Sequence, residues 1–309
     1  MSLAIETEGL GRDYGDVRAL DALDLAVPRG AVVGLLGPNG AGKTTAMLLL
    51  ATLLSPTRGG ARVFGHDVVR ERAAVRRRLG LLFQETSVDG LLTPEENLLF
   101  AARLAGLGGR LARAAVADTI ERIGIGPRAR RPARELSGGW RRMLDIARAT
   151  LHQPDLLILD EPTVGLDPEH RDAIWSLLDA QRRVHGTTIL FSTHYLAEAE
   201  PADRVLLLAQ GKVVAEDAPG ALRAELGEGI AEIEGPGAER LARALRGLGS
   251  TRVVLRTGRG YRVGIQGERE AVVELAGKAP GIERFALRPT SLEDVYFART
   301  QDAGEVAAW

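Results

Sequence analysis

A chain of 309 residues, 45% hydrophobic and 26% charged, has the composition of a soluble globular protein with one large or two ordinary domains. Its formal net charge of -1 excludes the global basic field of a nucleic-acid-binding protein, and its lack of cysteine excludes disulfides and thiolate metal sites. No apolar stretch approaches the roughly 18–20 residues that span a bilayer. Residues 1–8 do not resemble a secretion signal, so we expect a cytosolic chain that does not cross a membrane itself.

The first predicted strands, residues 3–10 and 17–27, alternate loosely between apolar and polar side chains and are joined by a turn. Tyr14 lies in that turn. It is either an ordinary turn aromatic or, upstream of a nucleotide site, a face on which a base stacks. An apolar strand over residues 31–36 follows.

A phosphate-binding loop is predicted between that strand and a helix over residues 46–54. Its residues are Gly37, Pro38, Asn39, Gly40, Ala41, Gly42, Lys43, Thr44 and Thr45. The glycines let backbone N–H groups point inward, and the helix start adds positive potential. Lys43 would reach the β- and γ-phosphates of a nucleotide, and the Thr44 hydroxyl would be a ligand for Mg²⁺. The alternative is a glycine turn with a solvated lysine, which is disfavoured because lysine occurs at only two other positions, 212 and 278.

A basic helical stretch over residues 69–78 and a buried strand over residues 79–83 come next. The strand ends at Gln84, which is either a strand-end hydrogen-bonding residue or a group that reaches the metal or the attacking water. Residues 93–150 then form a helix-rich insert, with Thr93 as the cap of its first helix.

A serine followed by two glycines opens the last helix of this insert, over residues 141–151. The segment Ser137, Gly138 and Gly139 at a helix N-terminus has anion-binding geometry, although the same residues also form a plain helix cap. The arginines of residues 128–134 are interpreted as a solvated face.

Two carboxylates end the fully apolar strand over residues 156–159. Acidic groups at the end of a buried strand are costly unless they have a charged partner. We therefore expect Asp160 to be a ligand of Mg²⁺ and Glu161 to orient or deprotonate water. The alternative is an ordinary pair of loop carboxylates.

The next strand, residues 187–191, ends in Ser192, Thr193 and His194. In a parallel sheet the carboxyl ends of strands share the edge where ligands bind, so we expect His194 there. A lone histidine in this place is otherwise a surface or capping residue. Further core strands are predicted over residues 204–209 and 212–215.

Residues from about 223 follow the order β-α-β-β-α-β, which predicts a small ferredoxin-like unit. A final helix follows, capped by Thr290 or Ser291. This region shows no metal, redox or nucleophile constellation.

Taken together, the motifs of residues 3 to about 220 resemble the nucleotide-binding subunit of ATP-binding-cassette (ABC) transporters. The resemblance implies an α/β fold: a P-loop NTPase core with an antiparallel β-subdomain and a helical insert, plus the small α+β ferredoxin-like C-terminal domain. The implied domains are residues 1–222, with a helical subdomain at about 86–150, and residues 223–309. ATP and Mg²⁺ are the implied cofactors, and nucleic acid is not an expected partner.

The resemblance also implies a role for each motif residue. Tyr14 would stack on adenine, and Gly37–Thr45 is similar to the Walker A loop. Gln84 matches the Q-loop glutamine, which contacts the metal and couples to the membrane subunit. Further matches are Leu136–Gly139 to the signature, Asp160 to the Walker B aspartate, Glu161 to the catalytic glutamate, Asp167 to the D-loop aspartate and His194 to the switch histidine at the γ-phosphate. Mg²⁺ would be held by Thr44, Gln84 and Asp160, and the catalytic groups would be Glu161, His194 and Gln84.

Trp140 departs from the family pattern, because the signature usually ends in glutamine there. Ser137, Gly138 and Gly139 are intact, so we expect phosphate binding to survive while contacts to the partner's nucleotide differ. The implied mechanism is a head-to-tail homodimer with ATP at each Walker A loop, closed by the signature of the other subunit. Hydrolysis reopens the dimer and drives a separately encoded permease at the cytoplasmic face of the cell membrane.

The segment over residues 289–297 resembles the tail of the drug-exporter branch, related to daunorubicin-resistance ATPases. It predicts an ATPase that powers export of a drug, antibiotic or related small molecule. One alternative is an importer ATPase with a regulatory ferredoxin-like domain; a binding protein encoded beside the permease would indicate it. Another is a non-transport ABC ATPase, but such chains usually carry two cassettes or a long coiled-coil insertion, and neither is present. A non-hydrolysing switch is disfavoured by Lys43, Glu161 and His194.

Overall fold

The computed structural model of this protein describes residues 2–301, so the part of the predicted C-terminal domain over residues 302–309 lies outside the described residues. The chain forms two compact units. The first contains the chain up to His194 together with Leu208–Val213. The second contains Tyr195–Leu207 and the chain from Val214 onward.

Strands and helices alternate along most of the chain. The strands are β1 (Leu3–Tyr14), β2 (Val17–Pro28), β3 (Val32–Leu36), β4 (Arg58–Val63), β5 (His66–Asp67), β6 (Leu79–Leu82), β7 (Leu156–Leu159), β8 (Thr188–Thr193), β9 (Arg204–Ala209), β10 (Lys212–Asp217), β11 (Gly229–Glu234), β12 (Thr251–Arg256), β13 (Gly260–Ile265) and β14 (Arg284–Pro289). The helices are α1 (Lys43–Leu50), α2 (Arg72–Arg76), α3 (Pro94–Leu104), α4 (Gly109–Arg122), α5 (Gly138–Thr150), α6 (Pro168–His185), α7 (Pro219–Leu226), α8 (Ala238–Arg246), α9 (Arg269–Lys278) and α10 (Leu292–Gln301). The mixed α/β class predicted from the sequence is confirmed.

A parallel sheet forms the centre of the first unit, where apolar strands lie in the order β3, β8, β7, β6. Almost all of their residues are buried, as expected for parallel strands that are covered on both faces. Because these strands run in the same direction, their carboxyl ends lie at one edge, which we name the carboxyl edge. Gly37, Gln84, Asp160 and His194 each follow one of these strand ends closely.

An antiparallel sheet of order β2, β1, β4, β5 forms a second layer of the first unit, which confirms the predicted β-subdomain. Tyr14 is the last residue of β1 and pairs with Val17 across the tight turn between the first two strands. The Thr7 hydroxyl donates to the carbonyl of Leu23, 2.7 Å away, which satisfies a buried polar group inside this sheet.

Two predicted helices are shorter in the structure. The stretch over residues 69–78 is helical only in α2, because the Asp67 carboxylate accepts the N–H groups of Val69 and Arg70 at 2.8 and 2.9 Å and forms a turn there. The helix predicted over residues 46–54 begins at Lys43 and ends at Leu50, and Thr52 beyond it has a left-handed φ of 64°.

The helical insert contains α3, α4 and α5, as predicted. Thr93 caps α3 through a capping box, in which its hydroxyl accepts from the N–H of Glu96 while the Glu96 carboxylate accepts from the N–H of Thr93. Within α5, the buried residues include the charged side chains of Arg142 and Asp145.

The second unit contains an antiparallel sheet of order β12, β13, β11, β14 with α8 and α9 between its strands. This order confirms the predicted ferredoxin-like arrangement. Its core is built from apolar residues of the sheet and of both helices, such as Ile233, Leu241, Val263 and Val272. Ser291 caps α10, because its hydroxyl accepts from the N–H of Asp294 at 3.4 Å while its own N–H donates to the Asp294 carboxylate. The Thr290 hydroxyl instead donates to the carbonyl of Gly227.

The predicted domain boundary between residues 222 and 223 falls inside α7. In the structure α7 belongs to the second unit, where Glu225 forms an ion pair with Arg299 of α10. The division into a nucleotide-binding and an accessory domain at residue 222 stays a prediction. Among residues 2–301, no helix has both the length and the apolar character that crossing a membrane requires.

Candidate functional site

The glycine-rich loop connects β3 directly to α1 at the carboxyl edge. Gly37 has a φ of 148°, and a Cβ there would lie 2.2 Å from the carbonyl oxygen of Leu208. Gly42 has a φ of 103° and a Cβ would lie 2.6 Å from the carbonyl oxygen of Ala19. Both positions therefore require glycine, because any side chain would collide with backbone and strain the loop.

Lys43 begins α1 and its side chain lies along the loop. Its Nζ donates to the carbonyls of Gly37 at 2.6 Å and Pro38 at 3.0 Å, and only 5% of the residue is exposed. Burial lowers the pKa of this ammonium, and the neighbouring charges of Glu161 and Asp160 act in the opposite direction. The loop thus encloses a cation that carbonyl groups hold in place.

Asp160 follows β7 and is buried beside the start of α1. Its Oδ2 accepts from the Thr44 hydroxyl at 2.9 Å, and its Oδ1 accepts from the hydroxyl of Ser192. Hard oxygen ligands next to a phosphate loop are the set that Mg²⁺ uses, usually with one or two carboxylates and the substrate phosphates. The residues present therefore fit a magnesium ion.

Glu161 adopts a left-handed backbone conformation with a φ of 46°, which is uncommon outside glycine. Its N–H donates to the Ser192 hydroxyl at 3.0 Å, and its Oε1 lies 2.7 Å from Nδ1 of His194. The carboxylate is buried and the imidazole partly so. A carboxylate held against an imidazole at the end of two neighbouring strands can accept a proton from water.

Gln84 lies two residues beyond β6 and lines a cavity of about 290 Å³. The remaining lining residues come from the segment after β6, the start of α5 and the loop before α6: Thr86, Gly138, Arg141, Arg142, Val164, Gly165 and Leu166. Ser137 is the N-cap of α5, because its hydroxyl accepts from the N–H of Trp140 at 3.4 Å. The structure thus places Gln84 next to the serine–glycine helix start.

Trp140 packs within the chain. Its ring meets the imidazole of His170 edge to face at 5.8 Å, and the Arg128 guanidinium lies 5.0 Å from its centroid. His170 in turn lies 2.8 Å from the carboxylate of Asp167, the N-cap of α6. A Cβ on Gly139 would lie 2.4 Å from the His170 ring, so any larger residue would have to displace that ring where these two helix starts meet.

Tyr14 is 45% exposed, and the guanidinium of Arg12 lies 4.8 Å from its ring centroid. The ring therefore has a solvent-accessible surface on which a planar group can stack. Its proposed contact with adenine stays a prediction.

Sequence reasoning missed two residues of the site. Ser192 bonds both Asp160 and the backbone of Glu161, and its signal was a hydroxyl two residues before His194 on the neighbouring strand. Arg142 bonds backbone carbonyls at the ends of β6 and β7. Its signal was a pair of charges, Arg142 and Asp145, three residues apart on an otherwise buried helix face.

Comparison with known proteins agrees with this geometry. The family model of ABC transporters matches residues 20–164. The chain is 44% identical over 306 residues to the daunorubicin/doxorubicin resistance ATP-binding protein DrrA of Streptomyces peucetius, covering 96% of this chain and 92% of that protein. It is 37% identical to the Nod factor export ATP-binding protein I of Burkholderia orbicola, covering 97% and 98%.

Solved structures show the same fold. An ATP-binding subunit of an ABC transporter superposes with a TM-score of 0.65 at 29% identity, covering 71% of this chain and 92% of that one. A dimeric ATP-binding cassette in a post-hydrolysis state, bound to ADP and Pi, has a TM-score of 0.63 at 26% identity, covering 69% and 98%. The chain therefore belongs to the ABC transporter family, as an ATP-binding subunit with ATPase activity.

Proposed function

We propose that this chain hydrolyses Mg-ATP to power export of a drug, antibiotic or related small molecule through a separate membrane permease. The observation that carries the proposal is the paired geometry at the carboxyl edge. Thr44 meets Asp160 at 2.9 Å, and Glu161 meets His194 at 2.7 Å, beside the buried Lys43. The Thr44–Asp160 pair offers oxygen ligands to a metal ion, and the Glu161–His194 pair can orient and deprotonate a water molecule.

The loop residues Gly37–Thr45 bind the phosphates of ATP, with Lys43 at the β- and γ-phosphates and Tyr14 against the adenine. Thr44, Asp160 and Gln84 would hold Mg²⁺, which when bound would supply positive charge against the phosphates of ATP. Phosphoryl transfer depends mainly on such positioning and charge stabilisation. The rigid loop, closed around Lys43, supplies both.

Glu161 accepts the proton of the attacking water, and His194 orients the γ-phosphate and the glutamate together. The Ser192 hydroxyl holds the Asp160 carboxylate and the backbone of Glu161 together, because it donates to Asp160 and accepts from the N–H of Glu161. Asp160 and Glu161 are neighbours in sequence but have separate roles, ligand and base.

We further propose that two copies associate head to tail when ATP is bound. Ser137, Gly138 and Gly139 of each copy then close over the γ-phosphate held by the other, where the α5 helix start offers N–H groups and positive potential. Asp167 would lie at the same face of the dimer, since its carboxylate contacts His170 beside Gly139. Trp140 is engaged by His170 and Arg128 of its own chain, so we expect it to contribute packing rather than a contact to nucleotide.

Export is favoured over import because relatives matched over nearly their whole length are drug-resistance and Nod factor export proteins. The permease would hold the chain at the cytoplasmic face of the cell membrane. Drug-like small molecules are the proposed cargo, since the relative at 44% identity is a daunorubicin/doxorubicin resistance protein.

The test is steady-state ATP hydrolysis by the purified chain in Mg²⁺, compared with Glu161→Gln. The amide cannot accept a proton, so we expect turnover to fall by about 10²–10⁴-fold. Size-exclusion chromatography in ATP and Mg²⁺ should show a dimer for Glu161→Gln, because bound ATP is not consumed. Glu121→Gln, on the exposed side of α4, is the matched control and should hydrolyse ATP like the unmodified chain.

A Glu161→Gln variant that hydrolyses ATP as fast as the unmodified chain would contradict the assignment of the base. A monomeric variant in ATP and Mg²⁺ that still binds nucleotide would contradict the closed dimer.

A further inference from the structure

Arg142 is a buried guanidinium with all five of its N–H donors engaged by backbone carbonyls. Nε donates to Pro162 at 2.9 Å. Nη1 donates to Phe83 at 2.6 Å and Gln84 at 3.3 Å, and Nη2 donates to Asp160 at 2.9 Å and Glu161 at 2.8 Å. Arginine carries five such donors in a fixed planar fork, so no donor is left unsatisfied.

These carbonyls belong to two segments that leave the sheet side by side. One segment follows β6 and contains Gln84, and the other follows β7 and contains Asp160 and Glu161. β6 and β7 are neighbours in the parallel sheet, so Arg142 occupies the place where their continuations diverge. Arg142 itself lies one turn beyond the Ser137 cap of α5.

Asp145 lies one turn further along the same face of α5 and is also buried. Its Oδ2 accepts from the N–H of Ser87 at 3.0 Å, and its Oδ1 accepts from the Ser87 hydroxyl at 2.7 Å. Arg148 adds contacts to both partners, at 3.1 Å to Asp145 and 2.8 Å to Ser87. The segment from Phe83 to Ser87 is thus attached to α5 at both ends.

A buried guanidinium is costly unless every donor is satisfied, and the Arg142 fork satisfies its donors only in one arrangement of the three segments. A displacement of α5 alone would leave a buried charge without its hydrogen bonds. The rigid planar fork therefore favours joint movement of α5, the Gln84 segment and the strand end that contains Asp160 and Glu161.

We propose that Arg142 and Asp145 form a clamp that makes the position of the signature helix α5 set the positions of Gln84 and Glu161. Both are positioning residues, since neither touches the reacting atoms. This inference rests on the proposed function of the carboxyl edge and adds the contacts by which α5 acts on Gln84 and Glu161. When α5 docks against nucleotide in the closed dimer, its movement displaces the backbone of the base, Glu161, through the hydrogen bonds of Arg142.

The test compares Arg142→Lys with the unmodified chain by ATP hydrolysis and by backbone amide hydrogen exchange. Lysine keeps the charge but offers three rotatable donors in place of the five-donor fork. We expect kcat to fall by about 10- to 100-fold, because a small misplacement of reacting groups has effects of this size. KM for ATP should stay within about twofold, because the phosphate loop is untouched. Exchange of the amides of residues 83–88 should accelerate in the nucleotide-free chain.

Arg182→Lys is the matched control. Arg182 also extends from a helix, α6, and donates from Nε to a loop carbonyl, that of Gly30 at 2.8 Å. Gly30 precedes β3, at the opposite end of the sheet from the carboxyl edge. This variant should leave both kcat and exchange in residues 83–88 unchanged.

Ser87→Ala is a milder second variant, suited to the case in which Arg142→Lys does not fold. Ser87 is exposed, and the change removes only its hydroxyl contacts to Asp145 and Arg148. It should lower kcat by less than Arg142→Lys at an unchanged KM, and it should accelerate exchange in the same segment.

The clamp is overturned by a folded Arg142→Lys, or failing that Ser87→Ala, that keeps its kcat and its exchange pattern. It is also overturned if KM rises as much as kcat falls, since that would indicate general damage to the nucleotide site. An unmodified chain without ATP turnover would instead contradict the proposed function. Hydrogen exchange is measured without nucleotide, so it tests the clamp independently of the proposed ATP hydrolysis.

Discussion

Two buried aspartates, Asp160 in the first unit and Asp294 in the second, have contrasting surroundings. Asp160 accepts hydrogen bonds from the hydroxyls of Thr44 and Ser192. Asp294 is fully buried and accepts two hydrogen bonds of 2.7 Å from the guanidinium of Arg288, one to each oxygen. The N–H and hydroxyl of Ser291 also donate to it. One carboxylate has neutral donors, and the other has a bidentate charged partner.

The different hydrogen-bond donors distinguish the functional site around Asp160 from the structural cluster around Asp294. The charge of Asp294 is neutralised by Arg288 in a fork geometry, so it has no need of a ligand. The buried arginine of the first unit, Arg142, donates to backbone carbonyls and forms no hydrogen bond to the carboxylates of Asp160 or Glu161. The Asp160 carboxylate thus offers its oxygens to a metal ion beside Thr44, while in the second unit the Arg288–Asp294 pair joins the end of β14 to α10.

The largest of the effects expected from this comparison is on ATP turnover at the carboxyl edge. Lys43→Ala should reduce ATP turnover by about 10²–10³-fold, the usual loss when one preorganised donor to a developing negative charge is removed. Stability should be unchanged or higher, because burial disfavours the Lys43 ammonium and lowers its pKa. Turnover and thermal unfolding of the same preparations check both parts. Lys212→Ala, at an exposed position, is the control, and a clearly destabilised Lys43→Ala would break the comparison.

The reverse pattern is expected for the structural cluster. Asp294→Ala removes the carboxylate that pairs with Arg288 and Arg262. Breaking a buried ion pair in this way lowers the free energy of unfolding by about 3–5 kcal/mol. Urea unfolding measures this loss. ATP turnover per folded molecule should stay close to that of the unmodified chain. Glu293→Ala, its exposed neighbour on α10, should change stability by no more than about 0.5 kcal/mol. Loss of turnover in a folded Asp294→Ala would assign the cluster a role in hydrolysis.

The smallest expected effect is on the pH dependence of stability in acid. Burial raises the pKa of Asp294, but the hydrogen bonds from Arg288 and Ser291 outweigh it, and the pKa lies below its ordinary value of 3.8. A carboxyl with a depressed folded pKa contributes stability above its unfolded pKa, about 3.9, and loses that contribution as pH falls through the folded value. The unmodified chain should therefore lose stability more steeply below about pH 4 than Asp294→Asn. Urea unfolding at pH 7, 5, 4 and 3 compares the two, and equal slopes would mean that Asp294 is not depressed.

Local patterns were sufficient to predict most of the fold. The glycine loop between an apolar strand and a helix, the acidic pair after a second apolar strand and the β-α-β-β-α-β order all appear in the structure where they were expected. Such features depend on neighbouring residues: backbone conformation at Gly37, hydrophobic runs and the Thr93 cap. Helix ends were less predictable, because the Asp67 turn and the left-handed Thr52 compete with helix formation locally.

The sequence also determined which chemical groups would gather, since parallel strands must place their carboxyl ends at one edge. It did not determine how those groups are held. Ser192 and Arg142 belong to β8 and α5, and the atoms they bond lie 18 to 59 positions away in the chain. Only the tertiary structure decided that a guanidinium from α5 would meet the backbone after β6 and β7, because burial of that charge required five carbonyls that no single segment supplies.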